Sequence, residues 1–132
     1  LDIEWVSKED IFFQSDILSL HCALTDSTQD IVNKTALKTM KSSAFLINTS
    51  RGGLINENDL FYALDHDLIA GAGLDVLTVE PPHITNPLAY HSKSLVTPHI
   101  GWAALSSRAT LLEGIRNCID GYHNQQYINA LN

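Results

Sequence analysis

Arg51, followed by Gly52 and Gly53, ends the stretch Phe45-Leu46-Ile47-Asn48-Thr49-Ser50, where a short apolar run gives way to polar side chains. A run of that length bounded by glycine reads as a buried strand emptying into a loop, which puts a permanent cation at the mouth of a sheet. Arginine's planar fork grips a carboxylate through two parallel hydrogen bonds, where lysine offers only a point charge. The chemistry indicated is the binding of a small anion. A surface arginine in an ion pair is the plain alternative, but the two glycines, which let backbone approach a ligand closely, favour the functional reading.

His99 follows Thr97-Pro98 and precedes Ile100-Gly101-Trp102. An imidazole exchanges protons near neutral pH, so a histidine at a strand end suits general acid or base work, although a lone histidine is more often a satisfied structural residue. Glu80 precedes Pro81-Pro82, which hold it extended and could aim it at His99 across the sheet edge; the alternative is a solvated loop acid. Other chemistries lack their parts. No Gly-x-Ser-x-Gly elbow surrounds Ser50, and there is no P-loop. Glu80 and His83 have metal-like spacing, but the intervening prolines bar the helix that would align them, so no metal site is expected.

These side chains need a scaffold that brings them together. Four apolar runs predict strands: Asp16 to Leu20, Ala44 to Ile47, Ile69 to Val76 and Ser94 to Thr97. Their lack of clean alternation predicts burial on both faces. Between them, Asn56 is a plausible N-cap for a helix through His66 with Leu60, Phe61 and Leu64 on one face. A second helix is expected from about Ser106 to Asp120, carrying Leu111, Leu112, Ile115 and Ile119, and a weaker one from Thr28 to Met40. Strands alternating with helices predict an α/β fold, a doubly wound parallel sheet. Ligands of such sheets bind outside the carboxyl ends of the strands. His21 with Cys22, Arg51, Asp75 with Glu80, and His99 all follow strand ends and are expected on one edge.

The 132 residues, 45% hydrophobic, fit one domain with a real core. A net charge of −7 with only 8 Lys and Arg argues against a nucleic-acid partner. No apolar run approaches the roughly 20 residues that span a bilayer, and the first residues are no signal peptide, so a soluble, cytoplasmic protein without a membrane partner is expected. Cys22 and Cys118 match no metal or redox spacing and read as reduced thiols. Two formal glycosylation sequons carry no weight without a secretory signal.

Four ordered motifs now stand out: Ser15-Asp16-Ile17-Leu18-Ser19-Leu20-His21; Asn48 to Gly53; Gly73-Leu74-Asp75-Val76 with Glu80-Pro81-Pro82; and Thr97-Pro98-His99-Ile100-Gly101. Together they resemble the D-isomer-specific 2-hydroxyacid dehydrogenases over the whole chain. The Ile100 to Ala103 continuation is most similar to the glycerate dehydrogenase (hydroxypyruvate reductase) branch. The resemblance implies a Rossmann-like fold and hydride transfer between NAD(H) and a small 2-hydroxy or 2-oxo acid, with NADP left open. It implies that Arg51 orients the substrate carboxylate and polarises its 2-oxo group, that His99 is the acid or base, and that Glu80 orients His99. It places Cys22, Thr49, Ser50, Arg51, Asp75, His99, Ile100, Gly101 and Trp102 against NAD. A homodimer is expected on the same ground.

The sequence also departs from that family. Its Gly-x-Gly-x-x-Gly turn and the ribose-binding acid beyond it do not occur in these 132 residues. The expectation is therefore a partial NAD-binding domain, its second half, without the substrate domain. Leu1 to Val6 is read as the strand just after the glycine turn, and the last residues as returning toward the substrate domain. Two further readings use the same residues: a dinucleotide-sensing, corepressor-like binding module, and a structural remnant without activity.

Overall fold

The computed structural model describes residues 3–126, which fall into two compact units, one running to His99 and the other starting at Ile100. The first holds α1 (Lys8–Gln14), β1 (Ile17–Leu20), α2 (Lys34–Thr39), β2 (Phe45–Asn48), α3 (Glu57–Asp65), β3 (Gly71–Leu74) and β4 (Ser94–Val96), with 3₁₀ turns at Gly52–Leu54 and Pro87–Tyr90. The second holds α4 (Leu105–His123).

The four strands form one parallel sheet in the order β1-β2-β3-β4. The fold is the expected Rossmann-like α/β class, a parallel sheet with flanking helices. Register fixes what the sheet presents. Leu20 pairs with Asn48, Asn48 with Leu74, and Leu74 with Val96. The last residues of all four strands thus form a single row, and every loop that follows leaves from the same edge.

Helix starts are set by side-chain caps. Asn56 accepts the Asp59 amide at the start of α3, as expected from the sequence, and Leu60, Ala63 and Leu64 of that helix are buried. Asn33 caps α2 by accepting the Thr35 and Ala36 amides, so the helix expected from Thr28 begins only at Lys34. The residues ahead of it are held in turns by the Thr25 and Thr28 hydroxyls. α1 was not expected; Ser7 caps it by accepting the Asp10 amide, and it buries Phe12. The strand read at Leu1 to Val6 does not form: residues 3–7 have no regular structure, and Leu1 and Asp2 lie outside the described residues.

Burial corrects a second expectation. Only β3 is covered on both faces; β1 and β2 alternate, burying Leu18, Leu20, Leu46 and Asn48. On the other face Ile17, Phe45 and Leu95 are 69%, 47% and 70% exposed. The missing alternation in sequence reflects apolar residues on both faces, of which only one packs under α1, α2 and α3 through Phe12, Leu37, Leu60 and Leu64. In the second unit, α4 carries the expected stripe of Leu111, Leu112, Ile115 and Ile119, all exposed. The expected return of the last residues toward a substrate domain involves residues 127–132, outside the described residues. Among the described residues no helix is long and apolar enough to cross a membrane.

Candidate active site

Each loop at the carboxyl edge is built by its own strand end. After β2, Asn48 is fully buried and turns the chain: its Oδ1 accepts the Ser50 amide at 3.0 Å and its Nδ2 donates to the Arg51 carbonyl at 2.9 Å. An asparagine that bonds backbone two and three residues on fixes a turn without help from the rest of the fold. Ser50 spends its hydroxyl on the Leu20 carbonyl at 2.8 Å, tying this loop to the end of β1. Arg51 is exposed, and its Nη1 donates to the Ser50 carbonyl at 2.7 Å.

Gly52 has a role other than the one read from sequence. A Cβ there would lie 2.0 Å from the Leu77 carbonyl carbon and 2.3 Å from the Thr78 nitrogen. The close approach is thus to the backbone of the loop after β3, not to a ligand, and only glycine permits it. A Cβ on Gly53 would meet the Leu24 side chain at 2.9 Å.

After β3, Asp75 is nearly buried, its amide donating to the Asn48 carbonyl and its carboxylate accepting the Thr97 hydroxyl. Its carbonyl accepts the His99 amide at 2.9 Å. That bond helps hold His99 at φ 52°, the left-handed region that costs most residues energy and that histidine enters more readily than most. Such a backbone is a common mark of functional positions.

The two groups expected to pair do so. His99 donates its Nδ1–H to Glu80 Oε2 at 2.7 Å, and Glu80 Oε1 accepts the Leu77 amide at 2.9 Å. The His99 ring and the Leu77 amide hold the Glu80 carboxyl below the usual carboxylate range, against burial and the Asp75 charge. Glu80 is therefore an anion at neutral pH, fixing the ring through Nδ1.

Arg51, Glu80 and His99 line one cavity of about 190 Å³, together with Leu24, Gly52, Gly53, Leu77 and Thr78. A cation, an anion and an imidazole thus converge from the ends of β2, β3 and β4. A second, open cleft is lined by His21, Cys22, Ala23, Leu24, Thr49, Ser50 and Arg51. Cys22 and Thr49 are exposed there. Small side chains and backbone along the carboxyl edge of a parallel sheet are the kind of surface on which dinucleotides lie, so these residues fit such a cofactor. Ile100, Gly101 and Trp102 open the second unit in a turn closed by the Ala103 amide on the Ile100 carbonyl. Among the described residues no cluster of His, Cys, Asp and Glu could hold a metal.

Asn48 is the residue whose importance the sequence reading missed. Its signal was present: an amide side chain at the end of an apolar run, three residues before a cation.

Comparison with known proteins identifies the family. The family model described as D-isomer specific 2-hydroxyacid dehydrogenase, NAD binding domain, matches residues 1–101. The hydroxypyruvate reductase of Blautia hydrogenotrophica is 38% identical over 128 residues, covering 97% of this chain and 40% of that protein. The glycerate dehydrogenase of Methylorubrum extorquens is 40% identical over 119 residues, covering 89% of this chain and 38% of that protein. The chain therefore spans about two fifths of the length of these curated relatives. A D-isomer specific 2-hydroxyacid dehydrogenase from Lactobacillus delbrueckii ssp. bulgaricus, solved in its NAD complexed form, superposes with a TM-score of 0.89 at 27% identity, covering 98% of this chain and 43% of that one. The chain belongs to the D-isomer specific 2-hydroxyacid dehydrogenase family.

Proposed function

We propose that the complete protein transfers a hydride between NAD(H) and a small D-2-hydroxy acid and its 2-oxo partner. In this reading Arg51 grips the substrate carboxylate and polarises the 2-oxo group. His99, fixed through Nδ1 by Glu80, gives a proton from Nε2 to the carbonyl oxygen during reduction and takes it back during oxidation. NAD(H), when bound, supplies or accepts the hydride at its nicotinamide ring. Cys22, Thr49, Ser50, Arg51, Asp75, His99, Ile100, Gly101 and Trp102 are the residues assigned to hold it. The observation that carries the reading is the shared cavity of Arg51, Glu80 and His99, with the 2.7 Å contact between the last two.

The chain is read as the second half of an NAD-binding domain, with the glycine-rich turn and the substrate domain elsewhere in the protein. A cytoplasmic homodimer without nucleic-acid or membrane partners completes the reading; the net charge of −7 supports the exclusion of nucleic acid. Sedimentation of the complete protein tests the dimer.

The decisive assay is reduction of hydroxypyruvate and glyoxylate by the complete protein, with NADH and NADPH compared. Turnover that falls by about 10²- to 10⁴-fold in His99→Ala, with NADH affinity changed far less than the rate, is expected for loss of a general acid. No turnover of any small 2-oxo acid, with NADH still bound, would mark a dinucleotide-sensing, corepressor-like module instead.

A further inference from the structure

We infer that Glu57, the first residue of α3, is a positioning residue for the Glu80–His99 pair. The inference rests on the reading of that pair given above.

Glu57 uses both carboxylate oxygens on the loop that carries Glu80. Its Oε1 accepts the Thr78 amide at 2.6 Å, and its Oε2 accepts Asn86 Nδ2 at 2.9 Å. These partners lie 21 and 29 residues away in sequence and on either side of Glu80, so one carboxylate holds both ends of the loop. Between the two anchors the chain runs through Val79, Glu80 and the Pro81-Pro82 pair, whose prolines offer no amide donors to anchor it.

Glu57 is itself rigidly placed. It follows Asn56, whose side chain caps α3, and Leu60 and Leu64 of the same helix are fully buried. Its bonds to neutral donors are charge-assisted and stronger than neutral pairs. The Thr78 amide is also the group that Gly52 allows to press against the loop of Arg51. Glu57 therefore fixes the one backbone segment that both the cation and the carboxylate of the site depend on. It lines neither the cavity of Arg51, Glu80 and His99 nor the open cleft, so it acts through the loop it holds rather than on a ligand.

The test uses the complete protein and a double-mutant cycle. Glu57→Ala is expected to lower kcat/KM for 2-oxo acid reduction by roughly ten- to a hundredfold, the scale of a small misplacement at a reacting centre. The KM for NADH should hold. In a Glu80→Gln background the same substitution should cost little further, because the two residues act as one unit. The pair Glu57→Gln with Asn86→Asp exchanges donor and acceptor across one bond and leaves the Leu88 cap in place, so it should restore most of the rate. Hydrogen exchange in residues 78–86 should rise in Glu57→Ala and return in the rescued pair. An equal loss from Glu57→Ala in both backgrounds, or a loss that the rescuing pair does not recover, would overturn the inference. If Glu80→Gln and His99→Ala themselves leave the rate unchanged, the reading of the site has failed and this inference with it.

Discussion

Arg51 differs from an ordinary surface arginine in how its backbone is held. Asn48 bonds to the residues on either side of the peptide that leads into it, and Ser50 ties the same turn to β1, so the guanidinium leaves from a fixed point. Replacing it with lysine keeps the charge and loses the fork. In the complete protein Arg51→Lys should lower kcat/KM by about ten- to a hundredfold, since a hydrogen bond to a charged group contributes about 1.5–3 kcal/mol. A near-normal kcat/KM would mean that the cation alone matters, or that Arg51 is structural. Glu80 gives a pH test that needs no substrate. Its folded pKa lies below the ordinary carboxylate value of 4.5, chiefly through His99 and then Leu77. The ionised carboxyl therefore contributes stability that is present above that value and lost as the pH falls through the lowered one. Urea unfolding of parent and Glu80→Gln should show a gap that holds above the ordinary carboxylate value and narrows as the pH falls below it. Half-exposure screens the pair, so the gap should be small. A gap that stays the same as the carboxyl is protonated would show that the Glu80 charge does not cause it.

At the scale of elements, the site depends on two loops pressed backbone to backbone, and Gly52 is where they meet. A methyl group there would overlap the Leu77–Thr78 peptide, which belongs to main chain and cannot swing aside. Gly52→Ala should cost at least about 1–3 kcal/mol in urea unfolding, the usual range for overpacking. It should also lower kcat/KM by moving Arg51 away from Glu80 and His99. Parental stability in that variant would show that the loops part freely. The elements themselves were legible to different degrees. α3 could be read because its cap, its apolar face and its strand neighbours all agreed at Asn56, Leu60 and Leu64. α2 was read too long because the Thr28 hydroxyl bonds locally and Asp30 sits at φ 51°, outside the helical region, while Asn33 marks the true start. α1 was missed although Ser7 and Asp10 form a cap, because its one buried residue, Phe12, gives no periodicity to detect. Of the site, the strand-end residues and the Glu80–His99 pair could be foreseen. The role of Gly52 could not, since its partner is backbone 25 residues away and leaves no trace in side-chain types.

On the scale of the whole chain, the sheet presents one continuous edge. Its carboxyl edge is in register and presents the open cleft of Cys22, Thr49 and Ser50 beside the cavity of Arg51, Glu80 and His99. The opposite face of β1, β2 and β4 shows Ile17, Phe45 and Leu95 to solvent in this chain. Those residues explain why the strands lacked alternation: the sequence carries apolar groups for two layers of packing, and the first unit's helices cover one. Binding the pyrophosphate of NADH calls for backbone amides at a helix N-terminus behind a glycine-rich turn. These 132 residues contain no Gly-x-Gly-x-x-Gly. Loss of two charge-assisted hydrogen bonds at about 1.5–3 kcal/mol each would weaken affinity by about a hundredfold or more. The 132-residue chain expressed alone should therefore bind NADH far more weakly than the complete protein and turn over no 2-oxo acid. Fluorescence titration with NADH measures both affinities under one buffer. Tight, saturable enhancement by the chain alone, matching the complete protein, would show that the edge formed by β1 to β4 suffices for the cofactor and would remove the reason for assigning the pyrophosphate to another segment.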